Sequence, residues 1–308
     1  MNGLQLIATG GALPGRTITN DALSRMVDTS DAWITSRTGI RTRHWCTEDE
    51  SAATLAIAAA RQALDRSGLA PADIACCVCA TLSAPDATPS VACQVQAALG
   101  LPENRPALDI NAACSGFLYG MAVARGMLTT LGGQYALVIG CEALSRLMDP
   151  TDRSTCVLFG DGAGAAVITL DENSRYAFDC GADGNTEVLY CLKSYHNTNP
   201  FAASLPEQPE QQVKMEGRAV YSFAVQALSG SIRRVADQVG GYPEHYICHQ
   251  ANARILQAAA KQLKEPMEKF FLDIAKYGNT SAASIAIALD DCCLLYTSPS
   301  PRDLSTSR

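Results

Sequence analysis

Aromatic residues make up only 6% of this 308-residue chain, and charged residues only 18%. A core short of rings must be built from Ala, Val, Leu and Ile, which suits helices packed closely on sheets. The 47% hydrophobic content supplies enough of them for two domains or one double-sized domain. Basic residues are the minority, and a net charge of −7 excludes a general nucleic-acid binder while leaving room for a local basic patch. No apolar run reaches bilayer-spanning length, and Met1–Ile7 lacks the basic and long apolar stretches of a secretory signal. A cytoplasmic protein with no membrane role is expected. Paired metal-binding spacings are also missing. The one C-x-x-C, within Cys76-Cys77-Val78-Cys79, sits in apolar Ile74–Ala80 with no second pair at zinc-site distance. It reads as a buried strand, and most of the 13 cysteines read as small hydrophobes of a reducing compartment.

What is present is an alternation of strands and helices. Leu4–Ala8 reads as a strand ending at Gly10-Gly11. Ser51 reads as the N-cap of a helix running to Ser67, with Gly68 at its C-terminal stop. Ile74–Ala80 follows as a strand, then a helix from Ser90 to Gly100, a strand at Leu108–Ile110 and a helix from Ser115 to Gly132. Ala136–Gly140 and Ala163–Leu170 are strands again. In the second half, 213–239 reads as mostly helical, 246–248 as a strand, the run to Leu263 as a helix, 270–274 as a strand and 281–289 as a helix. This rhythm predicts an α/β protein with largely parallel sheets. The polar stretch 180–212 reads as a joint between halves or a covering loop. The expected division is 1–172 and 173–291, followed by a Ser- and Pro-rich tail at 292–308 that reads as disordered.

Three polar residues share one kind of position, the step from a strand into a helix. Cys114 follows Leu108–Ala113, His249 follows Tyr246-Ile247-Cys248, and Asn279 follows Tyr277-Gly278. In an open α/β layer such ends gather along one edge, where ligands bind. A cysteine at a helix N-terminus gains thiolate character. A histidine there can act as a base or as a donor to a developing oxyanion. Each alone has a plainer explanation: one more buried cysteine, a capping histidine, an asparagine N-cap.

Together, Asn-Ala-Ala-Cys114-Ser-Gly-Phe, His249-Gln-Ala-Asn-Ala-Arg and Tyr-Gly-Asn279-Thr-Ser-Ala-Ala-Ser resemble the active-site motifs of β-ketoacyl-acyl carrier protein synthase III. Asp31–His44, Asp149–Arg153 and Phe159-Gly-Asp-Gly-Ala-Gly-Ala match as well, and the resemblance runs from about residue 4 to about 291. It implies a thiolase-like fold, two related αβ halves in a five-layer αβαβα sandwich, normally a homodimer. It also implies an acyltransferase of fatty-acid biosynthesis that works by ping-pong, without metal or redox cofactor. Acyl-CoA acylates Cys114, and malonyl-acyl carrier protein then loses CO2 and attacks the thioester. His249 and Asn279 are implied as neutral donors to the enolate. Trp33, Arg37 and Arg153 resemble residues that hold the nucleotide end of CoA, and Gly217 and Asn252 would line the pantetheine tunnel. Lys214, Arg254 and Lys261 form the candidate patch for the acidic carrier protein.

Two departures modify the expectation. Thr88 stands where some members carry a bulky Phe, which predicts a roomier acyl pocket and longer primers. The family's final strand pair and Gly-rich loop have no counterpart after 291, which predicts a chain cut short, with weak stability and reduced turnover. Alternatives are a condensing enzyme of quinolone or polyketide-starter synthesis, an inactive subunit that only dimerises or binds ligand, and a papain-like hydrolase. The papain-like pattern lacks the long αβ repetition seen here.

Overall fold

The structure is a computed structural model, and it describes residues 3–191 and 212–297. In chain order the elements begin with strands β1 (Gly3–Ala12) and β2 (Arg16–Thr19), short helices α1 (Asn20–Leu23) and α2 (Asp31–Thr38), and β3 (Thr42–Trp45). Then come α3 (Ala52–Ser67), β4 (Ile74–Ala80), α4 (Val91–Leu99), β5 (Ala107–Ile110), α5 (Gly116–Leu131) and β6 (Tyr135–Glu142). They are followed by α6 (Arg153–Cys156), β7 (Gly162–Asp171), β8 (Leu189–Cys191), β9 (Val213–Met215), α7 (Gly217–Val239), α8 (Ala253–Leu263), α9 (Ile274–Tyr277) and α10 (Ala283–Thr297).

The expected local signals act as the sequence indicates. Ser51 and Thr54 form a reciprocal capping box at the start of α3, and Gly68 ends that helix with φ 69°. Ile74–Ala80 is a strand buried along its whole length, because it runs through the middle of the main sheet. That sheet has the order β1-β7-β6-β4-β5. It is less parallel than the alternation predicts: β4 runs parallel to β5 and β6, but β7 lies antiparallel to both β1 and β6. The reason is the β6–β7 connection, which contains only the four-residue α6 and no crossover helix, so the chain returns antiparallel.

Helices α3 and α4 cover one face of the sheet, burying Leu55, Ala59 and Val95 against Cys77, Cys79 and Leu137. Helices α5 and α10 cover the other, with Phe117, Ala124, Ile285 and Ala286 packed on Val78, Val138 and Ala166. Beyond them, Ile247 turns toward this second core, while Tyr246 and Cys248 turn toward Leu256, Ala260 and Leu263 of α8. Five αβαβα layers are therefore present. The fourth is thin: 246–248 and 270–272 meet in one parallel bridge, Tyr246 to Phe270, rather than forming the strands expected there. Each segment is only three residues long, and among the described residues no third strand lies beside them.

Three boundaries differ from expectation. The first turn of the 213–239 segment is strand β9, paired with β8, before α7 begins at Gly217. Helix α10 runs on through Cys292 to Thr297, so the tail boundary at 292 falls inside a helix, and Cys292 is buried. The same helix packs on β1, β6 and β7, so the two expected halves share a core layer. The rest of the tail and residues 192–211 of the polar joint lie outside the described residues.

The close approach of α10 depends on glycine. A Cβ on Gly140 would lie 2.1 Å from the Ala282 carbonyl oxygen, and one on Gly164 would lie 2.5 Å from the Ala286 carbonyl carbon. Both obstacles are backbone, which cannot swing aside. Gly140→Ala is expected to destabilise the protein by about 1–3 kcal/mol, read as a lower midpoint in denaturant unfolding. An unchanged midpoint would mean that α10 does not hold this spacing.

Candidate active site

Cys114 lies in the turn Ala113–Ser115 that leads into α5, and it is partly exposed. Ala113 before it has φ 44°, a left-handed conformation that costs a non-glycine residue of order 1 kcal/mol and more. That twist turns Cys114 out of the line of β5 and onto the N-terminal end of α5. Burial opposes a thiolate at this position, but the charge of the neighbouring His249 outweighs it. The thiol is held below its ordinary range.

His249 sits in the loop between the 246–248 segment and α8. Gln250 beside it is buried and fixes that loop on three sides. Its backbone N–H donates to Ser284 Oγ at 2.8 Å, and Nε2 donates to the Cys248 and Phe271 carbonyls at 3.0 Å each. Burial would lower the imidazole's pKa, but the negative sulfur of Cys114 raises it above the usual value, and Asp273 adds to the rise. Nδ1 of the ring is buried with no partner among the described residues. Cys114 and His249 each favour the charged form of the other.

Asn279 is 8% exposed and lies in a bridge with Phe159. Its N–H donates to the Leu158 carbonyl at 2.9 Å, and its own carbonyl accepts from Gly160 N–H at 2.9 Å. Its Oδ1 accepts from Ser281 N–H at 2.9 Å, which orients the carboxamide with its NH2 end as the donor. Ser281 thus joins the expected three. It is tied to Asn279, its hydroxyl is buried with no partner among the described residues, and it has φ 46°, the second strained non-glycine residue at this site.

Two buried acids were not anticipated. Glu142, fully buried at the end of β6, accepts hydrogen bonds from Thr81 Oγ1 and Leu82 N–H at 3.3 Å and from the Ser83 hydroxyl. Burial, with a smaller contribution from Cys114, pushes it up to about 8. Asp273 is 3% exposed and is pushed up to about 7, first by burial and then by Asp291. The available signal for Glu142 was a single acid closing an otherwise apolar strand. For Asp273 there was none.

Trp33, Arg37 and Arg153 are brought together. The guanidinium carbons of Arg37 and Arg153 lie 4.8 Å and 5.0 Å from the Trp33 ring centre. Asn252 caps α8 through Arg254 N–H at 2.9 Å and joins this group by donating to the Arg37 carbonyl at 3.1 Å. Gly217 is exposed at the first turn of α7, where a built Cβ would meet Met215 Cε at 3.9 Å. Arg254 and Lys261 lie two turns apart on α8, both exposed. Lys214 does not share their setting: it donates to Gln212 and faces Asp149 and Asp152 instead. Thr88 is exposed rather than set in an enclosed pocket. Among the described residues no group of His, Cys, Asp and Glu is arranged to hold a metal ion, and no helix is long and apolar enough to cross a membrane.

Known proteins share this arrangement. The family 3-Oxoacyl-[acyl-carrier-protein (ACP)] synthase III matches residues 108–184, and its C-terminal part matches 243–294. The β-ketoacyl-[acyl-carrier-protein] synthase III of Natranaerobius thermophilus is 41% identical over 299 residues, spanning 94% of this chain and 91% of that protein. The crystal structure of 3-oxoacyl-[acyl-carrier-protein] synthase III from Aquifex aeolicus VF5 is 38% identical with a TM-score of 0.83, covering 96% of this chain and 92% of that one. The priming β-ketosynthase from the R1128 polyketide biosynthetic pathway is 30% identical with a TM-score of 0.83, covering 94% and 87%. The chain spans about nine-tenths of the length of these relatives. The thiolase-like layers and these identities lead to one conclusion: the chain belongs to the β-ketoacyl-acyl carrier protein synthase III family, acyltransferases that condense thioesters.

Proposed function

We propose that this chain starts fatty-acid synthesis by condensing an acyl-CoA primer with malonyl-acyl carrier protein at Cys114. The observation that carries the reading is the thiol itself, held below its ordinary pKa by the charge of His249 at the mouth of α5. In the first half-reaction the Cys114 sulfur attacks the acyl carbonyl, the bond to the CoA sulfur breaks, and the departing thiolate takes a proton from the imidazolium. Acylation removes the negative charge that raised the His249 pKa, so burial, the larger opposing effect, then keeps the ring neutral. With nothing to accept a proton at Nδ1, the useful tautomer carries its hydrogen on Nε2, facing the thioester.

In the second half-reaction the malonyl carboxylate leaves as CO2, and negative charge builds on the thioester oxygen. Nε2–H of His249 and the NH2 of Asn279 donate to that oxygen. The carbanion attacks the acyl carbon, the Cys114–acyl bond breaks, and a 3-oxoacyl product leaves on the carrier protein with the sulfur released as thiolate; one proton from solvent then recharges His249. Apart from that proton the substrates supply every atom, so the reaction needs no further cofactor. Trp33, Arg37 and Arg153 take the nucleotide end of CoA, Asn252 and Gly217 line the path of pantetheine, and Arg254 and Lys261 receive the carrier protein, without Lys214. A homodimer working in the cytoplasm completes the reading. Because Thr88 is exposed on its own chain, it limits an acyl pocket only where a partner subunit covers it. A second reading, primer condensation for a polyketide, draws support from the 30% identity to the priming β-ketosynthase. A panel of acyl-CoA primers and carrier proteins separates the two.

Incubation with acyl-CoA is expected to add one acyl mass to Cys114 and release CoA. Asn279→Ala is expected to keep that adduct while lowering condensation about 100-fold or more. A folded protein that releases no CoA and forms no adduct would refute the acyl-transfer reading. The charge pair also sets a pH dependence. Thiolate is present above the Cys114 pKa, which lies below that of an ordinary thiol, so iodoacetamide alkylation should reach half-maximal rate at a lower pH than for a free cysteine. His249→Ala removes the cation and should move that midpoint upward; a midpoint that stays put would show the two groups to be uncoupled.

A further inference from the structure

Arg43 is the largest fully buried side chain in the structure, with 0% exposure, and none of the partners recorded for it is a carboxylate. Nη1 donates to Asn20 Oδ1 at 2.7 Å and to the Ile18 carbonyl at 3.3 Å, and Nη2 donates to the Val157 carbonyl at 2.8 Å. Nε has no partner among the described residues. A cation taken out of water and met only by neutral acceptors is costly to keep, and burial lowers its pKa to about 10.

The place of this guanidinium gives the cost a purpose. Arg43 and Trp45 alternate on β3 and grip successive carbonyls of one segment, Arg43 at Val157 and Trp45 at Phe159, where Nε1 donates at 3.1 Å. Between and beyond them, Asp161 N–H donates to the His44 carbonyl at 2.8 Å, and Asp161 Oδ2 accepts from Cys46 N–H at 2.7 Å. Residues 157–161 are therefore fastened to β3 along their whole length. The other edge of the same segment holds Asn279, through Leu158 and Gly160. The stem of Arg43 lies under this crossing as well: Cβ atoms built on Gly160 and Gly278 would fall 3.2 Å and 3.3 Å from the Arg43 Cβ.

We infer that Arg43 is a positioning residue for the decarboxylation half-reaction, fixing Asn279 through the 157–161 segment while leaving the Cys114–His249 pair to other supports. His249 is held by Gln250 and Ser284, and Cys114 by the turn into α5, none of which Arg43 touches. The inference rests on the reading of Asn279 as a donor to the enolate, and the experiment keeps the two apart.

Arg43→Lys retains the charge and loses the two-pronged grip. In the full-length protein it should lower kcat for condensation at least about tenfold, with KM for malonyl-acyl carrier protein and the rate of Cys114 acylation each changing less than about threefold. Combined with Asn279→Ala it should cost nothing further, because both changes remove one function. Equal losses in acylation and condensation, or losses that multiply in the double variant, would overturn the inference. If Asn279→Ala alone leaves condensation intact, the catalytic reading fails and takes the inference with it. If it abolishes condensation while Arg43→Lys does not, only the inference fails. Should Arg43→Lys not fold, Trp45→Phe removes the neighbouring grip on Phe159 and must show the same selective loss of condensation for the inference to stand.

Discussion

A sulfur anion in a half-buried site exists only where a cation and hydrogen-bond donors reach it at fixed distances, and most of this architecture answers that requirement. The cation comes from the 246–249 loop, the donors from the 279–281 loop, and the sulfur from the start of α5, more than a hundred residues before either loop. Their meeting depends on α10 lying low on the sheet over Gly140 and Gly164, since α10 begins where the 279–281 loop ends. The positive φ of Ala113 and Ser281 belongs to the same constraint. Two residues are held in an unfavourable backbone conformation on either side of the thiol, which is how packed surroundings store strain at a reacting centre.

The electrostatic state of the site is self-limiting. Cys114 favours a charged His249 and His249 a charged Cys114, each against the pull of burial. In the proposed cycle, converting the sulfur to a thioester removes that mutual support, so the same ring serves the second half-reaction uncharged. Glu142 and Asp273 frame this balance: both are buried acids held up near neutral pH, so neither adds a full negative charge that would trap the imidazolium.

Much of this was legible in the residues, and the limits have physical causes. Ser51, Gly68, Ser90 and Gly100 mark helix ends because capping is local chemistry, and each lies where it was read. Strand Ile74–Ala80 was legible because a strand buried on both faces is apolar throughout. The antiparallel return of β7 was not, since direction is set by the lack of a crossover helix in the 143–161 connection rather than by any residue in the strands. Cys114, His249 and Asn279 stood out as a set through their motifs. Ser281 lay inside one of those motifs and was passed over, because a serine near a helix start reads as a cap. Arg43 lay inside the matched stretch Asp31–His44 without being singled out, and Lys214 was grouped with Arg254 and Lys261 but faces Asp149 and Asp152. Local sequence says nothing about which charges face one another across the fold.

The seat of α10 also bears on how the polypeptide reaches its shape as it is made. Strands β1, β6 and β7 are complete once about half the chain has emerged, yet the helix that covers them comes from residues 283–297. Until that stretch is available, the β1–β7 side of this apolar face, beyond the reach of α5, has no permanent cover. Chains fold from the N-terminal side during synthesis, so this side of the sheet must wait more than a hundred residues after β7 for residues 283–297, and a nascent chain caught before then presents a sticky surface for chaperones or for aggregation.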